Sequence, residues 1–220
     1  MLLKRFDTLS LTKDDTFALK GIALILLLFH HIFYFSDYGF DDIVVFGKPA
    51  ICTIAVGLCK FCVSLFVFLS GYGLTKVAND NGGIGNIIEF YKRRINKLFI
   101  NYWCVWLLFV IPEWLFTKKS IIGTYGDHQI IKILFDLSGL SYAFGLEQWN
   151  STWWFYSCII ILYFLFPLLY NMRKRPTLLI LLAVIISLLE NVTIIGVVQK
   201  YFGVFILAIF MTTYRITPPY

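Results

Sequence analysis

Apolar positions along this chain come in long unbroken runs rather than in strict alternation or in narrow helical stripes. Runs near the roughly 20 residues that a helix needs to cross a hydrocarbon layer fall at 17–36, 50–75, 98–116, 152–171, 177–195 and 201–214. Each predicts a spanning helix. A weaker run, 130–146 ("IIKILFDLSGLSYAFGL"), carries Lys132, Asp136 and two glycines, which predicts a re-entrant or interfacial piece. The expected architecture is therefore all-α: a polytopic transmembrane helix bundle of about six spans plus one re-entrant or interfacial segment, forming a single membrane domain over 1–220. Neither an internal repeat nor a low-complexity tract interrupts it.

Composition sharpens this picture. The chain is 59% hydrophobic and 15% charged, whereas soluble domains hold about 45–50% apolar residues. The lipid bilayer must be part of the solvent. A net charge of +6 would suit nucleic acid, but the cations sit at the ends of apolar runs, as membrane topology produces. Nucleic acid is not an expected partner.

The N-terminal arm holds Lys4, Arg5 and Lys13; the segment 76–97 holds Lys76, Lys92, Arg93, Arg94 and Lys97; the turn 171–176 holds Arg173, Lys174 and Arg175. The segment 37–49 instead has Asp37, Asp41 and Asp42 against Lys48. These clusters predict a multi-pass protein of the cell membrane with a cytoplasmic N-terminus. The parity of crossings then leaves 130–146 on the outer side, with Trp149, Trp153 and Trp154 at the outer interface. The five cysteines lie inside apolar stretches. Cys59 and Cys62 lack a partner motif for a metal, so packing is expected of them and no metal site. The first run is too long and too aromatic for a cleaved leader.

Ionisable groups inside a span mark functional sites. In "FALKGIALILLLFHHIFYF" Lys20 and His31 are eleven residues apart, so they share one helix face, with His31 about 16 Å further along the axis. His30 points roughly 80° to the side of that line. A neutral, desolvated imidazole is a plausible general base, while Lys20 has the alternative of reaching to the headgroups. In "EFYKRRINKLFINYW" Arg94 and Lys97 are neighbours on one helix face, with Arg93 beside them. They either anchor the span or hold an anionic ligand through charge-assisted hydrogen bonds. In "SLFVFLSGYGLT" Ser70, Gly71 and Gly73 allow close helix packing. A transporter or flippase for a polysaccharide or lipid-linked sugar would also place polar groups in spans. Haem between two imidazoles is disfavoured, because His30 and His31 are adjacent and His128 lies in a predicted outer loop.

Taken in order, four stretches resemble the integral-membrane acyltransferase 3 family: "FALKGIALILLLFHHIF", "VSLFVFLSGYGLT", "FYKRRINKLFINYW" and "STWWFYSCIIILYFLFPLLY". They resemble its basic-x10-His helix, its SGY helix, its Arg-x-x-Arg-like helix and its Trp-rich helix ending in proline. The resemblance implies transfer of an acyl group, often acetyl, from acetyl-CoA in the cytoplasm to carbohydrates and other hydroxyl-bearing envelope molecules. His31 would be the base and Lys20 its motif partner, with His30 beside them. Arg94, Lys97 and Arg93 would serve the donor's phosphates, and Ser70 and Tyr72 would touch substrate. Acyl-CoA is then a co-substrate, and no permanently bound cofactor is implied. Lys97 stands where the family pattern has a second arginine, and lysine lacks the bidentate fork. Family members usually continue past the point where this chain ends in "MTTYRITPPY". It therefore reads as the N-terminal part of a longer domain, with an inactive fragment as the alternative.

Overall fold

A computed structural model describes residues 11–33, 43–117, 120–189 and 193–214. Lys4, Arg5, Asp37, Asp41, Asp42 and the tail "ITPPY" lie outside them. Helices dominate: α1 (Lys13–Phe33), α2 (Ala50–Ile54), α3 (Phe61–Asp80), α4 (Ile87–Phe116), α5 (Ile121–Tyr125), α6 (Gln129–Leu137), α7 (Trp154–Asn171), α8 (Pro176–Leu188) and α9 (Thr193–Thr213). Two-residue strands β1 (Val44–Val45) and β2 (Lys48–Pro49) pair as a small antiparallel hairpin just ahead of α2. Among the described residues, four helical stretches are long and apolar enough to cross a membrane: Lys13–Phe33, Ala50–Asp80, Ile87–Phe116 and Ser151–Lys174. The protein is an all-α membrane helix bundle.

The remaining apolar runs differ from the expectation. Over 177–195 the helix α8 covers only Pro176–Leu188, about 20 Å of rise, short of a bilayer core. Its apolar run meets Glu190 and Asn191. Over 201–214 the helix begins earlier, at Thr193. Gln199 and Lys200 are good helix formers, and the Gln199 side-chain amide donates to the Ser187 carbonyl at 2.7 Å, so polarity there does not end the helix. The run 130–146 does not form a spanning helix. The helix α6 has nine residues and is followed by a turn at Gly139 and a 3-10 turn, Ser141–Phe144.

The chain divides into two compact units, one of residues 1–76 with 207–220, the other of residues 77–206. In the first, a capping box starts α1. The Thr12 hydroxyl accepts from the Asp15 amide at 3.1 Å and the Asp15 carboxylate accepts from the Thr12 amide at 2.8 Å, satisfying donors that every helix start leaves open. Tyr72 and Lys76, near the end of α3, both donate to the Leu11 carbonyl at 3.3 and 2.9 Å. At the other end His30 reaches Ala55. The chain entering α1 is thus tied to the end of α3, and the end of α1 to the turn ahead of α3, so the two helices run antiparallel.

In the second unit α4 and α7 form the corresponding pair. Phe90 stacks on Phe166 with centroids 5.5 Å apart, and the Tyr91 hydroxyl donates to the Phe164 carbonyl at 2.9 Å. At the other end of the pair, Tyr102 lies against Tyr156 and Trp153, 4.5 and 5.6 Å away. The side chain of Asn86 caps α4 by accepting from the amides of Ile88 and Glu89. This cap extends α4 well ahead of the apolar run, so its basic first turns precede the spanning portion.

Candidate functional site

The first unit holds the imidazoles. Because α1 runs unbroken from Lys13 to Phe33, Lys20 and His31 do share a face. Lys20 is exposed, and its ammonium lies 6.0 Å from the Phe17 ring centre, one turn back toward the start of the helix. That is the direction in which a lysine reaches for a headgroup layer. His30 and His31 are both half-buried, in a T-shaped contact with centroids 5.5 Å apart. His30 Nδ1 lies 2.7 Å from the Ala55 carbonyl oxygen. A carbonyl only accepts, so Nδ1 carries the proton, and the neutral His30 ring has Nε2 as its acceptor. The residue that receives this bond opens a π-helical turn, Ala55–Cys59.

That turn corrects the expectation of one continuous helix over 50–75. A five-residue α2, the π-turn and Lys60 precede α3, and Gly57 within the turn lowers the cost of leaving α-geometry. Such turns often accompany functional sites. Neither nitrogen of His31 has a hydrogen-bond partner among the described residues. Ser70 is half-buried, whereas Tyr72 is buried and its hydroxyl is taken up by Leu11. Cys59 and Cys62 are buried without a disulfide, as packing requires.

The second unit holds the cations. Arg94 is half-buried; Lys97 and Arg93 are exposed. Arg93 is engaged with Glu89 at 3.1 Å, an exposed one-turn pair of small energetic weight. The start of α4 lies beside the end of α7, where Arg173 donates to the Tyr170 carbonyl and stacks on that ring at 3.7 Å. The clusters at 92–97 and 173–175 therefore gather at one end of the α4–α7 pair. Sequence distance hid this, and the antiparallel packing supplies it.

A family model described as an acyltransferase domain (acyltransferase 3) matches residues 18–220. The chain belongs to the acyltransferase 3 family. Comparison with curated proteins and with solved structures finds no match. The protein is thus a membrane acyltransferase, and the matched region holds Lys20, His30, His31 and the α4 cations.

The acyltransferase also contains a buried centre that sequence reasoning missed. Asp136, at 1% exposure, sits on α6 with donors converging on its Oδ2: the Tyr125 hydroxyl at 2.5 Å, the Trp149 amide at 3.0 Å and the Trp106 indole at 3.3 Å. The Tyr102 hydroxyl donates to the Asp136 carbonyl at 2.7 Å, and the Trp103 indole to the Leu137 carbonyl at 2.8 Å. Burial, reinforced by Asp136, pushes the Tyr125 phenol well above its usual range, so it stays a donor. The Trp149 indole donates to Glu113 at 2.7 Å. Trp149 and Trp153 are therefore core residues, 2% and 6% exposed. The signal for Asp136 was its position inside an apolar run.

Gly139 lets this segment turn back. Its φ is +68°, the Ser157 hydroxyl donates to its carbonyl at 2.6 Å, and an added Cβ would lie 2.9 Å from Ile160 Cδ1. Gly139→Ala is expected to cost about 2 kcal/mol from left-handed strain and overpacking together, read as a lower midpoint in a thermal melt of the detergent-solubilised protein.

Proposed function

We propose that this acyltransferase moves an acyl group, most simply acetyl, from acyl-CoA on the cytoplasmic face of the cell membrane to a hydroxyl of a cell-envelope carbohydrate. The observation that carries this reading is His31: half-buried on the Lys20 face of α1, with no hydrogen bond at either ring nitrogen among the described residues and its neighbour His30 bonded to Ala55. In the chemistry, His31 takes the proton of the acceptor hydroxyl as its oxygen attacks the thioester carbonyl. The tetrahedral adduct then collapses, the C–S bond breaks, and the imidazolium returns the proton to the departing CoA thiolate. Lys20 offers a fixed positive charge along the same face. Arg94 and Lys97 suit the donor's phosphates, Arg94 as the planar fork and Lys97 as a point charge.

The gathering of the α4 and α7 cations at one end of that pair supports a cytoplasmic face there. The test is transfer from radiolabelled acetyl-CoA into the glycan fraction of membranes that carry the protein. Absence of label above membranes without the protein would sink the reading. Within that assay Arg94→Ala is expected to raise KM for acetyl-CoA about tenfold or more, the weight of a charge-assisted hydrogen bond, with a smaller change in kcat. Arg94→Lys should recover only part of it, because the fork is lost.

A further inference from the structure

At the opposite end of the α4–α7 pair from the cations, α5, the chain leading into α7 and Gly196 of α9 line an open depression of about 670 Å³. That is within the range of small-ligand sites. Its polar lining comes from Thr124, Tyr142, Glu147, Gln148 and Ser151, with Gly145 leaving room at the rim. Directly beneath, every donor around Asp136 is spent. The rim is the reverse. The Tyr142 hydroxyl, the Gln148 amide and the Ser151 hydroxyl have no hydrogen-bond partner among the described residues. Thr124 donates to the Ser120 carbonyl at 2.9 Å and keeps its lone pairs. The Tyr142 ring is 46% exposed and lies 6.4 Å from Trp154, which braces it as an apolar platform beside these groups.

One formal charge faces the depression, the carboxylate of Glu147. Lys132 pairs with it at 2.8 Å, with 18% of the lysine side chain exposed against 57% of the glutamate's. That hydrogen bond keeps the Glu147 carboxyl below its usual range, so it is ionised at neutral pH.

We propose that this depression is the docking site of the hydroxyl-bearing acceptor, and that it selects uncharged sugar segments and rejects anionic ones. A carboxylate beside an amide and three hydroxyls matches a ligand made of hydroxyls, each of which both donates and accepts. An aromatic face takes the C–H side of a sugar ring. The Glu147 carboxylate is the more exposed partner of its pair with Lys132, so a uronic or phosphorylated chain meets negative charge first and is disfavoured. The inference rests on the acyl-transfer reading only for the word acceptor; the binding itself does not require turnover.

The test uses the full chain in nanodiscs, titrated with a chitotetraose of N-acetylglucosamine and with a tetragalacturonate, following tryptophan fluorescence. Chitotetraose is expected to bind and tetragalacturonate to bind markedly less. Tyr142→Ala and Gln148→Ala should each weaken chitotetraose about five- to tenfold, the weight of one or two neutral contacts. Glu147→Gln should improve tetragalacturonate about fivefold, the weight of one exposed charge contact. His31→Ala should bind chitotetraose like wild type, which separates docking from catalysis. No binding of either probe, equal binding of both, or loss that none of the rim variants affects would overturn the docking site. Transfer of label with KM for glycan unchanged in Tyr142→Ala and Gln148→Ala would overturn it while leaving the acyl-transfer reading intact. Binding as expected without any transfer would do the opposite.

Discussion

His31→Ala is expected to lower kcat for acetyl transfer by about 10²–10⁴-fold, the range for loss of a general acid–base group. KM for acetyl-CoA should hardly move, because the imidazole acts on the travelling proton and not on the donor's phosphates. The thermal midpoint should also stay near wild type, since His31 has no hydrogen bond to lose among the described residues. His30 is expected to behave differently. Its Nδ1–H is committed to Ala55 at 2.7 Å, so His30→Ala removes a joint between α1 and the π-turn and should lower both midpoint and activity. His30→Asn, whose side-chain amide can donate toward the same carbonyl, should recover much of both. The decisive comparison is kcat in membranes matched for protein level. Full activity in His31→Ala with complete loss in both His30→Ala and His30→Asn would move the base to His30. Its carbonyl-anchored tautomer, with Nε2 as the acceptor, would then be the catalytic arrangement.

The sequence disclosed most of what depends on counting along one helix. The Lys20–His31 face follows from a spacing of eleven on an unbroken α1, and apolar run length located the four long spanning stretches. What it could not disclose depends on backbone departures and on contacts between distant segments. Nothing in "AICTIAVGLCKF" announces a π-turn, because α- and π-geometry differ by one residue in hydrogen-bond register and share the same apolar pattern. The carbonyl that fixes His30 was invisible for that reason. Nothing in "EQWNSTWWFY" announces that the Trp149 indole finds Glu113, 36 residues away. Such a pairing exists only once α4 and α7 are antiparallel. Likewise the apolar run 201–214 marks only part of α9, which runs through Gln199 and Lys200 from Thr193.

Asp136→Ala is expected to be the most destabilising single change in the α4–α7 unit, costing about 3 kcal/mol or more. The substitution removes one buried oxygen that serves three donors, the Tyr125 hydroxyl, the Trp149 amide and the Trp106 indole. Each buried donor left without an acceptor costs about 1–3 kcal/mol, and water repays part of this where the cavity admits it. Against a net stability on the order of 5–15 kcal/mol, such a loss should appear as a lower melting midpoint and less protein recovered from membranes. Asp136→Asn provides the control. Its single amide oxygen can take the Oδ2 position and keep all three donors. Its NH₂ group would face the Tyr102 oxygen, whose own proton already goes to the Asp136 carbonyl at 2.7 Å. The asparagine variant should therefore melt close to wild type. Loss of activity in Asp136→Ala should follow loss of folded protein and be absent per folded molecule, the reverse of His31→Ala, where fold persists and turnover disappears. A midpoint within about 0.5 kcal/mol of wild type, the ordinary scatter of a surface substitution, would show that the carboxylate is not what anchors α6 to the bundle.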